Sequence, residues 1–232
     1  MAERFGLTPI QTARLGRFGT TLVGDVRAPT TVREPRLVRD DHLADALVAL
    51  ELAVVRAATR IADLGAGAGV PGIPLAIALP DAEVTLIEGN QRKCEFMRSA
   101  VADLGLSNAA VVHARAETWQ AGLGRSDVVT ARALAPLDVV AEYAAPLLRL
   151  GGALVAWRGQ REPAAEEAAR RAAEILGLSA AAPQRVAPYV GARDRHLHVM
   201  LKTRPTPDRF PRRDGVARKR PLGRESGGNP RT

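Results

Sequence analysis

Short apolar runs alternate with segments of helical periodicity through the middle of the chain. The runs predict strands at residues 60–64, 83–88, 109–113, 127–130, 153–157 and 197–202. Apolar spacing of three and four residues predicts helices at 72–79, 90–104, 137–148 and 162–176. Because parallel strands need crossover connections, this alternation predicts an α/β fold with a mostly parallel sheet and helices on both faces.

The two ends of the chain carry weaker patterns. Residues 1–35 have no clear period, whereas residues 37–57 place Leu43, Leu47 and Leu50 at helical spacing, and we expect a helix there that packs on the core. The pattern predicts three parts: an N-terminal helical extension at 1–57, a core domain at 58–203 and a C-terminal tail at 204–232.

Positive charge is concentrated in this tail. The chain has a formal net charge of +8, and residues 204–232 hold nine Arg or Lys against three Asp or Glu. Such a segment attracts polyphosphate, so we expect contact with nucleic acid and a tail that stays mobile until RNA orders it. A role in solubility alone is the alternative, because Arg is frequent throughout the chain.

Composition narrows the class of protein. The 232 residues are enough for one domain with extensions. A single cysteine, Cys94, excludes an internal disulfide and a cysteine metal cluster. We expect neither a membrane span nor a signal peptide, because there is no run of 18 apolar residues and no apolar segment after the charged start. We therefore expect a cytoplasmic protein.

A glycine-rich loop follows the first predicted strand. Asp63 ends the apolar run, and the chain continues through Gly65, Gly67, Gly69 and Gly72. Glycine accepts a positive φ and lets a ligand approach the main chain. The loop therefore predicts a binding site for a nucleoside-type ligand.

The register of these glycines separates the loop from two common motifs. The dinucleotide fingerprint G-x-G-x-x-G needs a glycine where Val70 stands, and the Lys-Ser/Thr pair of a P-loop is missing. The remaining pattern, D-x-G-x-G-x-G, resembles the cofactor loop of S-adenosylmethionine-dependent methyltransferases.

Polar residues follow the other predicted strands, at the edge where open α/β sheets bind ligands. Glu88 ends the second strand, 23 residues after Gly65, close to the spacing of an acid that binds ribose hydroxyls. Ala116 and Glu117 follow the third strand, on the expected adenine side, although a Glu at a helix start is common. Arg132 follows the fourth strand and is either a structural ion-pair residue or a substrate-facing cation; we favour the second.

Three other side chains have no partner in the pattern. His42 and His196 are isolated histidines without a visible acid/base partner. Cys94, on a predicted helix, is typical of a small buried side chain. No spacing of metal ligands occurs, so we expect no metal site.

A set of short segments carries a resemblance to a known family. The extension Pro71-Gly72-Ile73-Pro74-Leu75 follows the glycine loop. The other segments are His42-Leu43-Ala44-Asp45, Glu88, Arg92-Lys93, Phe96-Met97, Arg115-Ala116-Glu117, Ala131-Arg132-Ala133, Arg158-Gly159, Arg195-His196-Leu197, Phe210 to Gly215 and Lys219 to Leu222. Together they resemble the bacterial small-subunit ribosomal RNA guanine-N7 methyltransferase G family, also called glucose-inhibited division protein B.

The chain departs from this family at four places. The N-terminal region lacks the frequent Asn-Leu-Thr segment, and Asp41 stands where an Arg usually precedes the histidine. Arg158 replaces the commoner Lys, and Phe210 replaces the usual Tyr. The last two changes keep the charge and the ring.

The resemblance implies a Rossmann-like class I methyltransferase with a mostly parallel seven-stranded sheet. It implies methyl transfer from S-adenosyl-L-methionine to N7 of a guanine in the 530 loop of 16S rRNA, free or within the 30S subunit, by a protein that we expect to be monomeric. The matched cofactor contacts are Gly65, Val70, Ala116, Glu117 and Arg132; the strand-end argument adds Gly67, Gly69 and Glu88. The residues that we assign to RNA binding are Arg158, Arg195, His196, Arg212, Arg213, Lys219 and Arg220.

The chemistry of guanine N7 is consistent with the lack of two catalytic motifs in this sequence. This atom has a lone pair and no proton, so it can attack a sulfonium methyl group without a general base. The sequence lacks the Asn-Pro-Pro-Tyr motif expected for exocyclic amines and the Pro-Cys nucleophile expected for pyrimidine C5. We assign no catalytic base, and Trp157, Tyr189 and Phe210 are the candidates for stacking on RNA bases.

Two alternatives belong to different classes. A small-molecule methyltransferase of the same fold is disfavoured by the basic tail. A non-catalytic RNA-binding or ribosome-assembly factor is disfavoured by the intact glycine loop.

Overall fold

The computed structural model describes residues 1–223. The helices are Ala2–Phe5 (α1), Pro9–Gly24 (α2), Pro35–Leu37 (α3), Asp45–Leu47 (α4), Ala53–Arg56 (α5), Gly72–Ala78 (α6), Gln91–Asp103 (α7), Leu137–Ala144 (α8), Pro163–Leu176 (α9) and Val216–Lys219 (α10). The strands are Arg60–Leu64 (β1), Glu83–Glu88 (β2), Ala109–His113 (β3), Ser126–Arg132 (β4), Leu148–Arg158 (β5), Leu178–Ala180 (β6), Gln184–Arg185 (β7) and His196–Lys202 (β8).

Seven strands form a mixed sheet in the order β3-β2-β1-β4-β5-β8-β6, and the two-residue β7 pairs with β8. β1 to β5 are parallel, and β8 runs antiparallel to β5. The strand order reverses between β1 and β4. Ligands of open α/β sheets bind outside the carboxyl ends of the strands at such a point. We therefore expect the binding site at the carboxyl ends of β1 and β4.

Each face of the sheet is covered by its own core. Ile61 and Val128 pack with α2, α6 and α7 on one face, whereas Leu64 and Val129 pack with α8 and α9 on the other. This assignment follows from the alternation of side chains along a strand. The predicted fold class, with helices on both faces, is confirmed.

The N-terminal region is more helical than its pattern predicts. α2 begins with a capping box between Thr8 and Gln11, and it buries Leu15, Phe18 and Leu22. The single helix expected at 37–57 is wrong in detail. A π-helical turn spans Val38–Ala44, a 3-10 turn spans Val48–Glu51, and Leu52 adopts an extended conformation that ends the run.

Two expectations about the C-terminal half are also wrong. The helix at 137–148 ends at Ala144, and β5 begins at Leu148 and runs through Gly151 and Gly152. The tail expected to be mobile packs on the core up to residue 223, because Phe210 and Ala217 are buried against the α8 and α9 side of the sheet. Residues 224–232 of the predicted tail lie outside the described residues.

None of the helices within residues 1–223 is long and apolar enough to cross a membrane. The same part of the chain contains no cluster of His, Cys, Asp or Glu that could hold a metal ion.

Candidate cofactor and nucleic-acid site

The glycine loop connects β1 to α6 at the point where the strand order reverses. Gly65, Gly67 and Gly69 have φ values of 63°, 58° and 84°, which residues with side chains adopt at a cost. A Cβ atom on Gly65 would lie 2.4 Å from Leu134 Cδ1, whereas one on Gly67 would have no neighbour closer than 3.7 Å. A side chain at Gly65 would therefore have to displace Leu134, whereas Gly67 leaves open space over the loop.

Asp63 holds the far end of this loop. Its buried carboxyl group accepts hydrogen bonds from Gly72 N–H at 2.9 Å and from the Thr130 hydroxyl at 2.8 Å. Burial raises the pKa of Asp63 to about 7, while the two hydrogen bonds act in the opposite direction. Asp63 thus ties the start of α6 to β4 and keeps the loop folded at the edge of the sheet.

Glu88 reaches the same loop from the neighbouring strand. Its carboxylate accepts hydrogen bonds from Gly67 N–H at 3.1 Å and from Asn90 N–H at 2.9 Å. Each carboxylate oxygen keeps further acceptor capacity. Glu88 is therefore positioned to bind hydroxyl groups of a ligand that lies against the loop.

A cleft of about 550 Å³ opens over the carboxyl ends of β1, β4 and β5. It brings together residues predicted for cofactor binding and residues predicted for RNA binding: Gly65, Gly67, Val70, Arg132, Arg158, Arg195 and His196. Gly69, Glu88, Ala116 and Glu117 lie outside its lining. This volume lies in the range of small-molecule sites.

Arg132 joins the core domain to the N-terminal segment. It donates to the backbone oxygen of Asp41 at 2.7 Å, to Asp45 Oδ2 at 3.1 Å and to His42 Nδ1 at 3.1 Å. Trp157 Nε1 also donates to the backbone oxygen of Asp45, at 2.7 Å. The sequence analysis treated the roles of Arg132 as an ion-pair residue and as a ligand-facing cation as alternatives. In the structure Arg132 forms an ion pair and also lines the cleft.

His42 has partners that the sequence did not reveal. His42 Nδ1 lies 3.1 Å from the Arg132 guanidinium, which can only donate, and 3.3 Å from the Asp41 backbone oxygen, which can only accept. The shorter contact favours Nδ1 as the acceptor, with the proton on Nε2, which lies 2.9 Å from Thr30 Oγ1. Burial and the charge of Arg132 lower the pKa of His42. The imidazole is therefore neutral near pH 7, and the lone pair on its unprotonated nitrogen already accepts a hydrogen bond from Arg132.

The His42→Gln variant should lose less stability on acidification than the parent protein. Since the pKa of His42 is lowered in the folded state, the unfolded chain binds protons more readily as the pH falls from about 7 to about 5, which favours unfolding. Urea unfolding at both pH values measures this dependence. An unchanged dependence in His42→Gln would contradict the assignment.

Ala116 and Glu117 lie in a 3-10 turn after β3. The Glu117 carboxylate accepts from Gly215 N–H at 3.3 Å, and the neighbouring Arg115 forms an ion pair with Asp214 at 2.9 Å. The side chain of Glu117 thus holds the C-terminal segment, which leaves the backbone of this turn as the part available to a ligand.

The residues predicted to bind RNA divide into three groups. Arg158, Arg195 and His196 line the cleft. Arg213, Lys219 and Arg220 are exposed on the C-terminal segment. Arg212 instead pairs with buried Glu142, its Nε lying 2.5 Å from Oε1, which makes it a residue that anchors the segment to α8.

The three aromatic residues proposed for base stacking differ in their burial and in whether they line the cleft. Phe210 belongs to the core, with 8% of its surface exposed. Trp157 is buried and lines the cleft, and Tyr189 is half-buried with its hydroxyl donating to Asp41. Phe210 is therefore unavailable for stacking, and the prediction for it is wrong.

Sequence reasoning missed the role of Asp41 and Asp45 as cleft residues. Both belong to the segment that ends with the His-x-x-Asp match, and nothing in its helical spacing shows which face meets the sheet. The available signal was a group of three acids, Asp40, Asp41 and Asp45, around His42.

Comparisons with known proteins identify close relatives of this chain. The model of one protein family, rRNA small subunit methyltransferase G, matches residues 23–197. Ribosomal RNA small subunit methyltransferase G of Rubrobacter xylanophilus is 43% identical over 219 residues, which cover 91% of this chain and 84% of the relative. The protein of the same name from Chloroflexus aggregans is 42% identical over 199 residues, covering 83% and 82%.

A solved structure agrees with the fold. The crystal structure of a protein described as a predicted O-methyltransferase, from Agrobacterium tumefaciens, superposes with a TM-score of 0.53 at 26% identity. The match covers 70% of this chain and 80% of that one.

Proposed function

Since the chain belongs to the rRNA small subunit methyltransferase G family, we propose that it methylates N7 of a guanine in the 530 loop of 16S rRNA, with S-adenosylmethionine as the methyl donor. The observation that carries this proposal is the cleft that joins the glycine loop to a set of cationic residues. One side of the cleft suits a nucleoside, and the other side suits RNA phosphates and bases.

The residues of the loop fit S-adenosylmethionine. The open space over Gly67 admits a close ligand, and Glu88 offers acceptor oxygens to a ribose diol beside it. The turn at Ala116 and Glu117 lies one strand further along the sheet, where adenine would follow the ribose. The loop itself is formed by Gly65, Gly69 and Val70. Arg132 lines the cleft from the end of β4. When bound, the cofactor supplies an electrophilic methyl group.

The proposed reaction needs no base, because guanine N7 has no proton to give. His42, which lines the cleft, has its Nδ1 lone pair bonded to Arg132. Asp63 lies outside the lining of the cleft and is enclosed by its two donors. The protein's contribution is then to hold the two reactants in line, which can supply roughly 7–11 kcal/mol of a barrier.

Glu88→Ala should weaken the binding of S-adenosylmethionine by about 1–3 kcal/mol, because a charged hydrogen-bond partner of the ribose is lost. Isothermal titration calorimetry measures the change. Glu95→Ala, an exposed acid on α7, is the matched control and should bind as the parent does. Equal affinities for Glu88→Ala and the parent would contradict the role of Glu88.

RNA binding is proposed to extend from the cleft to the C-terminal segment. Arg213, Lys219 and Arg220 are exposed there, while Arg212 anchors the segment through Glu142. Truncation would remove the buried Phe210 as well as the cations, so substitution of the exposed residues is the cleaner test.

The triple variant Arg213→Gln, Lys219→Gln and Arg220→Gln should bind RNA more weakly and with a flatter salt dependence. If each cation contacts one phosphate, the slope of log K against log salt should fall by about 2. Filter binding to a 530-loop RNA across a salt series measures it. Exchange of Arg14, Arg36 and Arg56 for glutamine removes the same charge elsewhere, and an equal loss of slope there would contradict a specific surface.

Transfer of tritium from labelled S-adenosylmethionine distinguishes the proposal from its alternatives. Label should enter 16S rRNA or 30S subunits. Label in small metabolites alone would favour a small-molecule methyltransferase, and RNA binding without cofactor binding would favour an assembly factor.

A further inference from the structure

One buried polar atom in the cleft lacks a hydrogen-bond partner. Asp45 is 5% exposed, and its Oδ1 is the single buried side-chain oxygen or nitrogen without a hydrogen bond within residues 1–223. Arg195 Nε forms an ion pair with Oδ1 at 3.6 Å, which is too long for a hydrogen bond. A buried acceptor left without a donor is costly, so Oδ1 is a place where a ligand donor would be strongly favoured.

The position of Asp45 along the sheet indicates which donor this is. The strand order places β3, β2, β1 and β4 in succession. With adenine at the end of β3 and ribose at Glu88 on β2, the rest of the cofactor must extend past the β1 loop towards β4. Arg132 ends β4, and Asp45 forms an ion pair with it at 3.1 Å. We therefore expect the amino-acid end of S-adenosylmethionine to lie beside Arg132 and Asp45.

The two side chains complement an α-amino acid. Arg132 has five N–H donors, and its hydrogen bonds to Asp41, Asp45 and His42 use three of them. Two donors remain for a carboxylate, and Oδ1 of Asp45 remains for an ammonium group. Burial raises the pKa of Asp45 in spite of Arg132, so a cation hydrogen-bonded to this carboxyl group would favour its charged form.

We propose that Asp45 Oδ1 accepts a hydrogen bond from the α-ammonium group of S-adenosylmethionine, while Arg132 faces its α-carboxylate. This inference rests on the proposed cofactor. It makes the N-terminal segment part of the cofactor site, so that a residue outside the core methyltransferase domain helps to bind the methyl donor.

Calorimetry with two ligands tests the assignment. S-adenosylhomocysteine carries the same amino-acid end, and its analogue with hydrogen in place of the α-amino group lacks the proposed donor. The parent protein should bind the analogue about 10- to 100-fold more weakly. Asp45→Asn should reduce this ratio to within about threefold, since its amide gives up the charge that favours the ammonium group.

Asp127→Asn is the matched control, because Asp127 is a buried carboxylate at the opposite end of β4 that accepts from Thr59 N–H at 2.7 Å. It should keep the parental ratio. Equal binding of both ligands by the parent would overturn the inference even if Asp45→Asn failed to fold. If folded Asp45→Asn keeps the parental ratio of affinities for the two ligands, the inference is overturned. If that variant has also lost its preference for guanine over 2-aminopurine in the RNA, Oδ1 lies against the base instead. Failure of the parent to bind S-adenosylhomocysteine at all would instead refute the proposed function.

Discussion

Replacement of Arg132 with glutamine should lower the free energy of unfolding by about 3–5 kcal/mol, because the buried Asp45 carboxylate loses the cation that is hydrogen-bonded to it. Arg195, at 3.6 Å, remains beyond hydrogen-bond distance. The side chains of Arg132 and Asp45 are 19% and 6% exposed, so solvent cannot take over the role of Arg132. The change also removes the donor to His42 and the donor to the Asp41 backbone. We expect loss of methyl transfer together with the loss of stability.

Urea unfolding of three variants separates the charge from the other contacts. Adding Asp45→Asn to Arg132→Gln removes the orphaned charge and should recover part of the stability. Arg27→Gln removes an arginine from an exposed pair with Asp25 and should change stability little. A double variant no more stable than Arg132→Gln alone would show that the buried pair is not what Arg132 contributes.

Gly67→Val should weaken the binding of S-adenosylmethionine by about 3 kcal/mol, roughly 150-fold. An added Cβ meets nothing in the protein closer than 3.7 Å, so the branched side chain occupies the space over the loop that the cofactor needs. The positive φ of 58° adds a backbone cost, of about 1–2 kcal/mol, to the stability of the variant.

Gly124→Val isolates this backbone cost. Gly124 has φ of 66° and nothing within 4 Å of an added Cβ, and it lies outside the cleft. Both variants should lose similar stability in urea unfolding, while calorimetry should show weakened cofactor binding in Gly67→Val alone. Equal cofactor binding by the two variants would mean that no ligand passes over Gly67.

The sequence predicted the strands best where a run of apolar residues has polar or glycine neighbours. β1, β2 and β3 have the predicted bounds. β5 was predicted to begin at residue 153, whereas it begins at Leu148 and runs through Gly151 and Gly152. Gly152 lies where a Cβ would come within 2.8 Å of the Asp127 backbone oxygen, so glycine is there for close approach of two strands.

The site was predictable only as far as topology determines it. Glu88 and Arg132 follow strands, and parallel strands bring their ends to one edge of a sheet. Asp45 contacts Arg132 across 87 positions of chain, and neither residue's local pattern reveals that pairing. The packing of residues 204–223 depends on a few contacts, among them Phe210 and the Arg212–Glu142 pair, which leave no periodic signal in a basic segment.

Mapping of N7-methylguanine in 16S rRNA is the decisive test of the proposed methyl transfer. Reduction and aniline cleavage of rRNA from a strain that lacks the protein, and from the same strain supplied with it, locates the modified base. We expect one cleavage, at a guanine of the 530 loop, that is absent without the protein and returns with it. A 530 loop that is cleaved equally in both strains, or in neither, would contradict the proposal.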